Sequence, residues 1–167
     1  MSKLATLVTC NDRQRLGTML QRAYAVAFDP RDQVQRFEMK LDHAHAVDEG
    51  DIPPDVVTMH STVEIIDLES DELETYTLVY PEEADIVRNR ISILAPLGQA
   101  IFGHAVGELV TVATPSGERW IKIAALCFQP ERDSHRSSGT DAHSRDARGH
   151  GRVAKPDGRQ EHHGITS

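Results

Sequence analysis

In the first third of the chain, apolar residues recur at threes and fours. Leu16, Met19, Ala23 and Ala27, with Leu20 and Val26 beside them, make one stripe. Val34, Phe37, Leu41 and Ala44 make a second, with Arg36, Glu38, Lys40 and Asp42 between them. One apolar stripe with a charged outer face is the mark of an amphipathic helix, so the pattern predicts two helices within residues 11–46. Asn11 or Asp12 can cap the first. The break between them, "FDPRD" at 28–32, is short enough only for a tight reversal. The result is a short antiparallel helical hairpin, each arm roughly 25 Å long at about 1.5 Å per residue. Two helices alone bury little surface, so the hairpin must lean on something else.

The period then changes. "VDEGDIPPD" (47–55) is acidic, and its paired prolines forbid helix, so it reads as a linker or hinge. Beyond it lie "VVTMHSTVEIIDL", "ELETYTLVY", "RISIL", "ELVTVAT" and "RWIKIAALCF", runs rich in β-branched and aromatic residues. In "ETYTLVY", Tyr76, Leu78 and Tyr80 alternate with Thr75, Thr77 and Val79. "LESDE" and "TPSGE" carry turn chemistry and each joins two strands. The one helical stretch is 96–102. Residues 56–131 therefore read as an α+β domain, a mostly antiparallel sheet of about five strands with one short helix across it. Residues 1–10 form an N-terminal segment.

Residues 132–167 hold seven Lys/Arg, five Asp/Glu and five His, but only Val153 and Ile165 as large aliphatics. Such a segment cannot bury enough apolar surface to offset its chain entropy, and a disordered tail is the expectation.

Charge and cysteines narrow the class. The chain of 167 residues carries a formal charge of −8, and through Glu131 the balance is net −10. An acidic surface argues against direct gripping of bare nucleic acid. Cys10 and Cys127 lie outside any C-x-x-C pattern and read as reduced thiols of a cytoplasmic protein. The start is too weakly apolar for a secretory signal, and no run approaches the roughly 20 residues of a membrane helix. A soluble protein, expected to be a monomer, follows.

The segment "RISILAPLGQAIFGHAVGE" (90–108) has a strand, a proline, a short helix and two turn glycines, Gly103 and Gly107. It holds no acid or thiol until Glu108. With Ile91, Ile93 and Ile101 assigned to the core, the outward remainder is the corner Ala95, Pro96, Leu97 and Gly98. An apolar, proline-stiffened edge suits protein docking better than catalysis.

This combination resembles one family. Ile91, Ser92, Pro96, Leu97, Gly98, Ala100, Gly103, Gly107 and Glu108, with Pro115 and Gly117 after them, match a segment of the Gre-type (GreA/GreB) transcription elongation factors. "PPDVVTMHSTVEI" and "YTLVYPEEAD" are similar, closer still, to the branch called regulator of nucleoside diphosphate kinase (Rnk), whose hairpin is shortened. The resemblance covers about residues 4–131. It implies a coiled-coil hairpin followed by an FKBP-like domain, with bacterial RNA polymerase as partner and DNA and RNA met only through the polymerase complex. It implies too that Ser92, Ala95, Pro96, Leu97 and Gly98 face the rim of the polymerase secondary channel. The family's serine before the proline is Ala95 here. Nothing suggests kinase chemistry, for no phosphate loop or catalytic-loop motif appears.

In the family's cleavage factors, two acidic residues at the tip of a longer coil help hold magnesium at the polymerase active centre. Asp29 and Asp32, flanking Arg31 at this tip, invite that reading, since Mg²⁺ is commonly held by one or two carboxylates. The simpler account is a helix start, with Asp29 at the cap, Pro30 next and Asp32 in the first turn, worth on the order of 1 kcal/mol. His43 and His45 face different ways on a helix, and His162–His163 lacks zinc spacing. No metal, cofactor or catalytic residue is assigned. The expectation is a non-catalytic polymerase-binding regulator that competes with cleavage factors. A transcript-cleavage factor using the tip carboxylates is the alternative. A prolyl isomerase or chaperone-like module is weaker, because several of Tyr76, Tyr80, Phe102, Trp120 and Phe128 must fill the core.

Overall fold

The computed structural model describes residues 5–26 and 31–137. After strand β1 (Leu7–Thr9), helix α1 spans Cys10–Val26 and helix α2 spans Arg31–Asp42. Their stripes pack as the spacing requires: Leu16, Leu20, Val34, Phe37 and Leu41 are buried in one core cluster. Helix α2 stops at Asp42, short of the expected end at residue 46. Residues His45–Val47 form β2 instead, pairing in parallel with β1, Leu7 opposite His45 and Thr9 opposite Val47. This pairing brings the start of α1 beside the end of α2.

The second sheet contains β3 (Thr62–Asp67), β4 (Leu73–Val79), β5 (Arg90–Ser92), β6 (Leu109–Thr114) and β7 (Gly117–Phe128), in the order β5-β4-β3-β7-β6. Only β4 and β5 pair in parallel within it. Long β7 serves both β3 and β6, and register shifts at Thr62/Val63 and Glu64/Ile65 mark bulges, which bend and twist a sheet. Val63 and Ile65 on β3, Val110 and Val112 on β6, and Ile121 and Ile123 on β7 fill the inner face. Strict alternation fails at the end of β4, where Leu78 and Val79 are both buried.

Short helix α3 (Pro96–Ile101) lies between β5 and β6. Phe37 of α2 meets Phe102 just beyond α3 edge-on, with ring centroids 6.0 Å apart. The two sheets are also tied at Gly103, whose carbonyl accepts from the Leu7 amide at 3.0 Å. Its φ of +75° and the backbone of Leu7 against its open side exclude a larger residue.

Two expectations are corrected here. Residues 47–55 are pinned: Ile52 is buried, and the Gln129 side-chain amide donates to the carbonyls of Pro53 and Val56. The predicted tail boundary at residue 132 is crossed by helix α4 (Pro130–Ser137). The Arg132 guanidinium donates to the carbonyls of Leu126 and Cys127, and the Asp133 carboxylate accepts from the Gln129 amide at 3.0 Å. Hydrogen bonds hold this turn where apolar content cannot. The rest of the expected tail, 138–167, lies outside the described residues.

Candidate docking surface

The 90–108 segment folds around Ser92. Its hydroxyl accepts from the Leu94 amide at 3.1 Å and its carbonyl accepts from the Ala95 amide at 3.0 Å, which turns the chain out of β5. Ala95 then stands extended (φ −68°, ψ 148°) as the cap residue of α3 without a side-chain cap bond, and Pro96 opens the helix with its φ preset. Pro96 is exposed, while Ser92, Ala95 and Leu97 are half-buried. Leu97 leans on the core. Gly98 departs from expectation: it is buried, and an added Cβ would strike the Ser92 carbonyl oxygen and approach Leu78. Close packing of α3 on β5 requires this glycine, so the outward corner reduces to Pro96 with the edges of Ala95 and Leu97.

The corner is clamped to the helices by residues that the sequence did not single out. The Gln99 side-chain amide donates to the carbonyls of Leu94 at 3.1 Å and of Gln33 in α2 at 3.2 Å. The Lys40 ammonium, read from the sequence as outer-face charge, instead donates to the Gln99 carbonyl at 2.5 Å, with the Ala100 carbonyl at 3.5 Å. Burial lowers its pKa to about 8, with the nearby Glu108 charge acting the other way. A lysine three residues after a core phenylalanine was the available signal. Glu108 closes its own turn, accepting from the Ala105 amide and meeting His104 Nδ1 at 3.2 Å. Burial, and then the Lys40 charge, hold His104 below its usual pKa.

A second lock joins α1 to the sheet. Buried Asp12 accepts from the Met59 amide at 3.3 Å, and burial raises its carboxyl pKa to about 6. Arg15 stacks over the Tyr80 ring, 4.9 Å from its centre, and His60 meets Glu83 at 2.8 Å. The helices and the Pro96 corner are thereby held in one frame.

At the far end of the helices, Asp32 is exposed in the first turn of α2. Asp29, and with it the helix-start arrangement and any carboxylate pair, lies outside the described residues, as does the Arg31 side chain. Among the described residues no group of three or more His, Cys, Asp or Glu could hold a metal ion, and no helix is long and apolar enough to cross a membrane. Cys10 and Cys127 are free and exposed. Ile86 and Val87 stand 90% and 94% exposed in a short helical turn capped by the Asp85 carboxylate. Sequence reasoning passed over this apolar knob.

Comparison with known proteins bears on the same region. The family described as "Transcription elongation factor, GreA/GreB, C-term" matches residues 52–126. Similar curated proteins include two named transcription elongation factor GreA. The one from Geobacillus kaustophilus is 39% identical over 93 residues, covering 56% of this chain and 59% of the relative. The one from Thermodesulfovibrio yellowstonii is 33% identical over 96 residues, covering 58% and 61%. The chain thus spans less than two thirds of the length of these relatives. Among solved structures, a prokaryotic transcription elongation factor GreA/GreB from Nitrosomonas europaea is similar at 35% identity with a TM-score of 0.62. That likeness covers 74% of this chain and 99% of the other.

Proposed function

Because the chain belongs to the GreA/GreB family of transcription elongation factors, we propose that it is a cytoplasmic, non-catalytic regulator of bacterial RNA polymerase. It docks through the Pro96 corner at the rim of the secondary channel and holds α1 and α2 in the entrance. It meets DNA and RNA only through the polymerase complex. Within the family it belongs to the Rnk branch, and its sheet domain corresponds to the FKBP-like part.

One observation carries the non-catalytic reading: the length of the helices. At about 1.5 Å per residue, the 17 residues of α1 span roughly 25 Å and the 12 of α2 roughly 18 Å. Helices of that reach supply a plug for a channel mouth, while the clamps through Gln99, Lys40 and Asp12 keep them in fixed register with the docking corner. A shared rim also explains how such a protein regulates, by occupying the place where a longer factor would sit. The cleavage-factor reading has one observation in its favour, the exposed Asp32 in the first turn of α2.

Capture of core RNA polymerase by the immobilised chain, with and without a long-hairpin cleavage factor, tests the proposal. Capture that the longer factor displaces is the expected result. Absence of capture overturns it, and capture untouched by the competitor overturns the shared site.

A further inference from the structure

A groove of about 850 Å³ runs between α2, α3 and β6, within the size range of small-molecule sites. Its chemistry is out of keeping with the chain. The protein is acidic, with 26 Asp/Glu against 18 Lys/Arg. Yet among the described residues lining the groove there is no carboxylate, while Arg36, Lys40, His43 and His104 all contribute. Arg36 and Lys40 stand one turn apart on α2, so their charges point along one face.

Lys40 supplies a second, independent observation. Its ammonium is largely desolvated, and it forms no ion pair among the described residues; it is held by the carbonyl oxygens of Gln99 and Ala100. Glu108, whose charge acts on Lys40, is engaged with His104 and the Ala105 amide. A buried charge ordinarily keeps a counter-charge, because desolvation is otherwise uncompensated. Here carbonyl dipoles offset it only in part, and the open side of the site is a groove rimmed by an exposed arginine. The opposite wall is apolar, with Pro96 and Leu109.

We propose that this groove binds a small oligophosphate anion, its charge set between Arg36 and Lys40 and any flat apolar part laid against Pro96 and Leu109. A guanidinium offers a planar, two-pronged donor set suited to phosphate, and an ammonium adds a point charge. The inference does not rest on the polymerase reading.

Titration calorimetry of the full chain at low salt tests it, with sodium pyrophosphate and ADP as probes. Pyrophosphate reports the charge site alone, and ADP adds a base for the apolar wall. Wild type should bind at least one probe, and Arg36→Glu should weaken that binding at least tenfold with an unchanged unfolding midpoint. Lys40→Met should also abolish binding; should that variant fail to fold, Arg36→Glu carries the test. Arg88→Glu, an exposed charge change remote from the groove, should bind as wild type does. Three outcomes overturn the proposal. Neither probe binds wild type, in which case impaired polymerase capture by Arg36→Glu would make the groove a protein-docking surface; or Arg88→Glu weakens binding as much as Arg36→Glu; or Arg36→Glu binds the probe as tightly as wild type does.

Discussion

Asp12 offers a perturbation whose sign can be worked through. The residue is 7% exposed, and its carboxyl accepts from the Met59 amide and feels the neighbouring Glu131 charge. Burial is the largest influence and raises the pKa from 3.8 to about 6. In the unfolded chain the group titrates near its ordinary value, so the folded state binds the proton more tightly. A raised folded pKa means that the contribution to stability is fully present below about pH 4 and is lost as pH rises through about 6. The difference between the two limits is on the order of 3 kcal/mol. An asparagine in place of Asp12 would be uncharged at every pH, and its side-chain oxygen can still accept from Met59. Urea unfolding of wild type and Asp12→Asn from pH 4 to pH 8 measures the effect. The variant should be more stable than wild type at pH 8, by up to about 3 kcal/mol, and should lose that advantage at pH 4. A stability difference that stays constant from pH 4 to pH 8 refutes the reasoning, for it would mean that Asp12 is solvated or already neutralised.

Further expectations concern packing and the helix tip. Gly98→Ala should cost about 1–3 kcal/mol in urea unfolding, because the Cβ meets the Ser92 carbonyl oxygen, backbone that cannot swing away. Truncation after Glu131 removes the Arg132 and Asp133 hydrogen bonds of α4 and should lower the thermal midpoint by about 3 °C or more, the equivalent of roughly 1 kcal/mol in a chain of this size. Asp29→Asn and Asp32→Asn should each lose no more than a few tenths of a kcal/mol, since asparagine caps nearly as well as aspartate and a charge near a helix start is worth little when exposed. With a backtracked elongation complex, wild type and both variants should alike release no short 3′ RNA fragments. Metal-dependent release by wild type, lost in both variants, would favour the cleavage-factor reading.

The strand and helix segments were legible because their periods differ: the 3.6-residue stripes through Leu16 and Phe37 cannot be confused with the alternation around Val110 and Ile121. The turn into α3 was legible from Pro96 alone. Strands β1 and β2 were not, since three residues carry no period and their pairing joins positions 38 apart in sequence. Lys40 was misread because a charged residue beside an apolar stripe ordinarily faces water. Its true place is decided by carbonyls 59 and 60 residues further on. Helix α4 was missed because it is held by polar bonds rather than by burial. Gly98 reads from the sequence as part of the outward docking corner, and only the approach of β5 shows that it is a packing residue.

The most direct test of the central claim is the affinity for core RNA polymerase of the wild type and of Pro96→Asp, each checked for folding by its thermal midpoint. Pro96 is exposed at the opening of α3, so an aspartate there leaves the core untouched and places a charge on the proposed contact. The expected result is measurable binding by wild type, weakened at least tenfold in the variant, about 1.4 kcal/mol, with both midpoints alike. A folded Pro96→Asp that binds polymerase as tightly as wild type would contradict the assignment of this corner.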